Sequence, residues 1–152
     1  IADLLSSLGA DWTRQVTLDL QPVLLPTDRA VAVGLILTEL VINANKYAYG
    51  GAAGPLHVAL SEDRNRFRIT VADNGCGMDE HVLRHAFDPF FSAKQAGRRP
   101  GMGLAKALRW IESSGGSLRL ESRSGEGTRA IILLPAAVNT GDSVARQVRR
   151  AT

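Results

Sequence analysis

The sequence predicts an α+β domain, an α/β sandwich in which a mixed, largely antiparallel five-stranded sheet carries about three helices on one face. Two hairpin patterns lead there: strands over 56–61 and 66–73 flank the polar turn EDRN, and strands over 117–124 and 128–134 flank GEG. Hairpins require antiparallel neighbours, so a wholly parallel, doubly wound sheet does not fit. The helical stretches between them each carry a single apolar stripe, as helices do that cover one face of a sheet. At 152 residues, 45% of them hydrophobic, the chain suffices for one packed unit over 1–135, followed by a tail over 136–152.

Each element has its own signal. Residues 1–8 fit a short helix, and 14–20 alternate Val16, Leu18 and Leu20 as a half-buried strand. Pro26 and Thr27 open a long helix to about Ala48, capped by Thr27 or Asp28 and closed by Gly50, Gly51 and Gly54. In RFRITVA, Phe67, Ile69 and Val71 face one way and Arg66, Arg68 and Thr70 the other. A short helix over 79–86 follows. The stretch from Asp88 to Gly101 has neither helical nor strand period and reads as a mobile loop, with Phe87, Phe90 and Phe91 anchoring its root. Leu104, Ala107, Leu108 and Ile111 share one face of a helix over 103–114, which Gly115 and Gly116 end. Pro135 stops the fold, and the tail beyond has no apolar face to dock.

Composition excludes several classes of function. The formal charge of +3 comes largely from the tail, where Arg146, Arg149 and Arg150 outnumber Asp142, and no dense basic stripe with interleaved aromatics argues for nucleic acid. A lone Cys76, read as inert packing, excludes an intrachain disulfide and a cysteine metal cluster, and a reducing compartment is the default. No apolar run approaches the length needed to span a bilayer, so no direct membrane contact is expected.

Four stretches carry chemistry. In TELVINANKYAYG, helical spacing puts Glu39, Asn43 and Lys46 within a sector of roughly 60°, beside an apolar stripe of Leu37, Leu40, Val41 and Ala44. Charged residues on a helix usually form a solvated face, but Asn in a helix interior lowers propensity. An amide oxygen suits the octahedral shell of Mg²⁺, and Lys meets phosphate as a point charge. DNGCGMD, Asp73 to Asp79, ends a strand in an acid and two glycines, which as an isolated pattern is ordinary turn chemistry. RRPGMGLAKAL places glycines before a helix, where bare N–H groups attract anions; standing alone it is equally a hinge. GEGT alone is a hairpin turn.

Together and in order, ELVINANKY, DNGCGM, FDPFF and GMGLA resemble the N box, first glycine box, F box and second glycine box of the catalytic and ATP-binding domain of sensor histidine kinases, with GEGT as closing element. That family belongs to the wider group of gyrase, chaperone and mismatch-repair ATPases and has the Bergerat ATP-binding fold. The resemblance spans about 11–135. It implies that Asn43 coordinates Mg²⁺ bridging the phosphates of ATP, that Glu39 polarises groups near the metal, and that Lys46 approaches phosphate. Tyr47 lies beside the nucleotide, with a core Tyr as the competing reading. Asp73 accepts the exocyclic amine of adenine, Gly75 and Gly77 bring backbone near the ring, and Thr128 is the neighbour that a desolvated carboxylate needs. Gly101, Gly103 and Leu104 cradle phosphates, and Lys94, Arg98 and Arg99 are cations of a lid.

The resemblance also implies transfer of the γ-phosphoryl group to a histidine on a helical dimerisation domain, then to a response regulator, in a cytoplasmic setting. His57, His81 and His85 lack the expected phospho-acceptor context and read as structural or solvated, so the acceptor belongs elsewhere and this chain is expected to be monomeric. Rival readings are a serine kinase of the anti-sigma-factor type, against which FDPFF argues, and a nucleotide-binding module without catalysis.

Overall fold

A computed structural model of the protein describes residues 15–25, 27–91 and 101–136, with backbone alone at 27 and 28. The expected N-terminal helix, the caps Thr27 and Asp28, the lid cations Lys94, Arg98 and Arg99, and the tail from 137 lie outside what is described. The elements run β1 (Val16–Leu20), α1 (Thr27–Asn43, continued by a π-helical turn at Ala44–Ala48), β2 (Leu56–Asp63), β3 (Arg66–Asp73), α2 (Glu80–His85), α3 (Gly103–Ser113), β4 (Ser117–Arg123) and β5 (Gly127–Pro135). The sheet order is β1-β2-β3-β5-β4, with β1 parallel to β2 and every other pair antiparallel. The mixed five-stranded sheet expected from the hairpin patterns is the one observed.

Register explains where the core sits. Leu60, Ile69, Ile132 and Leu118 align across four strands, and Val58, Val71, Ala130 and Leu120 form the next row on the same face. Val33, Ile36, Leu37, Leu40, Val41 and Ala44 of α1 and Ala107 and Ile111 of α3 are buried against these rows. Each fully buried Leu or Ile contributes about 1.5–3 kcal/mol relative to exposure, so this two-layer contact dominates stability. Helix α2 buries no residue completely. Outside the core, Leu18 and Leu20 of edge strand β1 are exposed rather than half-buried.

Local chemistry sets the boundaries. The β2–β3 turn has Arg64 at φ 47° and Asn65 at φ 65°, the two positive values a tight type I′ hairpin requires. Asp79 caps α2 by accepting the Val82 N–H at 2.8 Å. Helix α3 ends in a Schellman arrangement, with Gly115 at φ 74° and Gly116 N–H bonded to the Ile111 carbonyl at 2.9 Å.

Two expectations are corrected. Length and composition alone would let residues Arg29–Ala48 cross a bilayer, contrary to the sequence reading; here the apolar stripe of that helix is spent against the sheet. The long helix also does not stay α-helical to Ala48, because its last five residues widen into the π turn that carries Lys46 and Tyr47.

Candidate functional site

The site grows from one interruption in the apolar face. Following the helix-covered side of the sheet past its two apolar rows, the next row is Leu56, Asp73, Thr128 and Ser122, so hydrophobic side chains give way to an acid and two hydroxyls. Asp73 is half-buried. Its Oδ1 accepts the Gly75 N–H at 2.9 Å and the Thr128 N–H at 3.3 Å. Desolvation raises its carboxyl above the usual carboxylate range, partly offset by the two backbone hydrogen bonds. Oδ2 accepts no hydrogen bond from the described residues, in a carboxylate at the end of the sheet. The neighbour expected in Thr128 is present through its backbone amide, while its hydroxyl pairs with Ser122 Oγ at 2.9 Å.

The loop after Asp73 is fixed by close backbone approaches. Gly77 has φ 63°, and a Cβ there would collide with the Arg123 carbonyl, while a Cβ on Gly75 would collide with Ala48. Only glycine fits at either point. Cys76 N–H donates to the Ala48 carbonyl at 3.1 Å, and Gly125 N–H donates to the Cys76 carbonyl at 2.7 Å. The loop is thereby tied to the π turn on one side and to GEGT on the other. Cys76 is exposed rather than packed, its thiol 3.1 Å from the Tyr47 carbonyl.

At the other end, α1 presents Glu39, half-buried Asn43 and Lys46. Glu39 and Lys46 are exposed, and none of the three has a side-chain hydrogen bond or ion pair among the described residues. The start of α3 meets them: a Cβ on Gly103 would collide with the Glu39 carboxylate. The acid therefore sits against the positive end of the α3 dipole. Gly101 packs on Phe91, and its carbonyl accepts the Phe90 N–H at 3.0 Å, which joins the described residues on either side of 92–100. Leu104 packs on the core from the first turn of α3.

The structure thus brings Glu39, Asn43, Gly103 and Leu104 to one end and Asp73, Gly75, Gly77 and Thr128 to the other. Tyr47 is 43% exposed, so the core reading of that residue fails. Phe87 packs on the core and Phe91 stacks near His81 and His85, with ring centroids 6.1 and 5.6 Å apart. Phe90 is 69% exposed at φ 68°, so it does not anchor the loop. Sequence reasoning missed Tyr49, whose hydroxyl accepts the Asn74 N–H at 2.9 Å, and Ser122, whose Oγ accepts the Met78 N–H at 2.9 Å.

The donor set fits a hard cation. An amide and a carboxylate at a helix N-terminus supply oxygens, and among the described residues no group of three His, Cys, Asp or Glu forms a protein cage. Mg²⁺ needs no such cage, because it keeps waters and takes phosphate oxygens.

Comparison with known proteins agrees with this geometry. Residues 28–138 match the model of the histidine kinase-, DNA gyrase B-, and HSP90-like ATPase family. The signal transduction histidine-protein kinase AtoS of Escherichia coli K12 is 40% identical over 101 residues, covering 66% of this chain and 16% of AtoS. The sensor histidine kinase YvrG of Bacillus subtilis is 33% identical over 101 residues, covering 64% of this chain and 17% of YvrG. The chain thus spans about a sixth of the length of these curated relatives. In fold, the blue-light activated histidine kinase of Erythrobacter litoralis EL346 superposes with a TM-score of 0.68 at 20% identity, over 92% of this chain and 42% of that one. With the matched model covering most of the described residues, the chain belongs to the histidine kinase-, DNA gyrase B-, and HSP90-like ATPase family.

Proposed function

We propose that this chain is the Mg-ATP-binding catalytic domain of a sensor histidine kinase, acting in the cytoplasm and transferring the γ-phosphoryl group to a histidine on a helical dimerisation domain of the parent protein, for relay to a response regulator. The observation that carries the nucleotide reading is Asp73, a half-buried carboxylate whose Oδ1 is held by two backbone amides while Oδ2 accepts none from the described residues. Oδ2 accepts the exocyclic amine of adenine; guanine offers a carbonyl at that position and is rejected. The sensor-kinase part of the reading is supported by the names of the relatives and by the FDPFF segment.

The phosphates lie between α1 and the start of α3, where Gly101 and Gly103 admit them to bare N–H groups. Asn43 would hold Mg²⁺, with Glu39 polarising groups beside it, and the ion would supply neutralisation of phosphate charge. The chain's own contribution is positioning: Lys46 meets phosphate oxygens, Tyr47 flanks the nucleotide, and Lys94, Arg98 and Arg99 supply lid charge. Calorimetric titration of the chain with ATP and GTP, with and without Mg²⁺, tests the reading. Binding that prefers ATP and strengthens with Mg²⁺ is expected; a folded chain that binds neither nucleotide overturns it.

A further inference from the structure

Between Asn74 and Met78, four backbone amides are held. Gly75 N–H goes to Asp73 Oδ1 and Cys76 N–H to the Ala48 carbonyl. The other two go to side chains outside the four sequence boxes: Asn74 N–H to the Tyr49 hydroxyl and Met78 N–H to Ser122 Oγ, each at 2.9 Å. We propose that Tyr49 and Ser122 are positioning residues for base recognition, a two-point clamp that fixes the loop following Asp73 and so aims its second carboxylate oxygen, Oδ2. This deepens the nucleotide reading and rests on it.

Both posts are themselves anchored. The Tyr49 hydroxyl donates to the Pro55 carbonyl at 2.5 Å while accepting from Asn74, and a Cβ on Gly54 would fall 2.5 Å from its ring, so the phenol is held between the end of the π turn, the start of β2 and the loop. Ser122 Oγ lies 2.8 Å from the Gly127 carbonyl and 2.9 Å from Thr128 Oγ1, so it links the loop to the strand whose Thr128 amide binds Asp73. The path to Asp73 is short. Tyr49 fixes the Asp73–Asn74 peptide, the next amide, Gly75 N–H, fixes Oδ1, and Oδ1 sets the direction of Oδ2. A carboxylate with one oxygen fixed discriminates by the orientation of the other, whereas a freely rotating one accepts either edge pattern.

The test is titration of the wild-type chain, Tyr49→Phe and Ser122→Ala with ATP, GTP and inorganic tripolyphosphate, alongside amide exchange at Asn74 and Met78. Phenylalanine keeps the ring packing and removes only the hydroxyl. Each variant is expected to weaken ATP roughly three- to tenfold, the range set by losing one ordinary hydrogen bond, with faster exchange at the released amide. The ATP-to-GTP preference is expected to narrow while tripolyphosphate binding stays as in wild type. A purely structural role would lower thermal stability without changing the base preference, and that result overturns the proposal. So does wild-type ATP affinity and preference in both variants. A wild-type chain that binds tripolyphosphate but shows no ATP preference overturns the adenine reading instead, and the positioning role with it; protected amides in that case mark the clamp as scaffold alone.

Discussion

The two ends of the site are built differently. Around Asp73 almost every polar group has a protein partner, and the loop is wedged by glycines against backbone that cannot move aside. Around Asn43, among the described residues, the side chains of Glu39, Asn43 and Lys46 make no hydrogen bond or ion pair, and they stand on a helix, its π turn and beside the start of α3. On the proposed reading, base selection is preorganised, so its discrimination is set before any ligand arrives. The charged end is arranged for groups that come with the ligand, where fixed partners would have to be displaced. The π turn fits this division, since such turns reorient side chains at functional positions.

Glycine replacements should break the comparison most strongly. Gly77→Ala forces positive φ on a residue with a Cβ and pushes that Cβ into a backbone carbonyl, for a loss of about 3 kcal/mol or more and a melting point lower by roughly 6–12 °C. Gly103→Ala meets only the end of the Glu39 side chain, which can swing away, so a cost below about 1 kcal/mol is expected. Thermal unfolding followed by circular dichroism separates the two, and equal losses would erase the distinction between wedged and open ends.

Asp73→Asn comes next, and its two effects oppose one another. The amide oxygen can keep the Gly75 and Thr128 bonds, but an NH₂ then faces the adenine amine, so ATP should weaken roughly ten- to hundredfold. Folding should not suffer. The carboxyl's folded pKa is raised by burial, so Asp73 contributes its full stability below the unfolded pKa and loses it as pH rises through the folded value. At neutral pH the ionised group is therefore a net liability, and Asn removes it; a lower melting point in Asp73→Asn at pH 7 contradicts the assignment. In wild type, acidification should begin to weaken ATP at a pH above the ordinary aspartate range, readable from affinities measured across the acid limb.

Smaller effects sharpen the picture. Asn43→Ala should leave the stability within about 1 kcal/mol of wild type and spare Mg-free nucleotide binding while removing the enhancement by Mg²⁺. An intact Mg²⁺ dependence would move the metal away from Asn43. Phe90→Gly is expected to be neutral or stabilising by up to about 1 kcal/mol, because an exposed aromatic at φ 68° gains little packing for its backbone strain. A clear loss in a denaturant titration would show that the ring has a packing role despite its exposure.

Much of the fold was legible because its signals are local. Alternation in β3, the hairpin turns and the glycines ending α3 each act through a few neighbouring residues, and the observed elements lie close to the expected ones. The convergence of the N box with the second glycine box was legible only through resemblance, since no local pattern says that Gly103 lies against Glu39. The π turn was not legible, because ANKYA fits an α-helix as well, and its widening accompanies a tertiary contact between Ala48 and the loop at Gly75. Tyr49 and Ser122 were missed for the same reason: their partners lie 25 and 44 residues away, and neither residue type is distinctive in a turn or strand. Phe90 misled because aromatic identity argues for burial and its backbone conformation turns it outward.

The strand order carries a consequence for how the molecule comes into being. Strand β5, the last among the described residues, lies between β3 and β4 and supplies the Thr128 amide to Asp73. On the ribosome, β3 therefore presents an open edge until residues 127–135 have emerged, and an exposed edge invites pairing with other chains. The Thr128 contact to Asp73 cannot exist in any shorter nascent chain, so on the proposed reading the strand that completes the sheet also completes the nucleotide site, and a molecule interrupted before it keeps an open edge prone to aggregate.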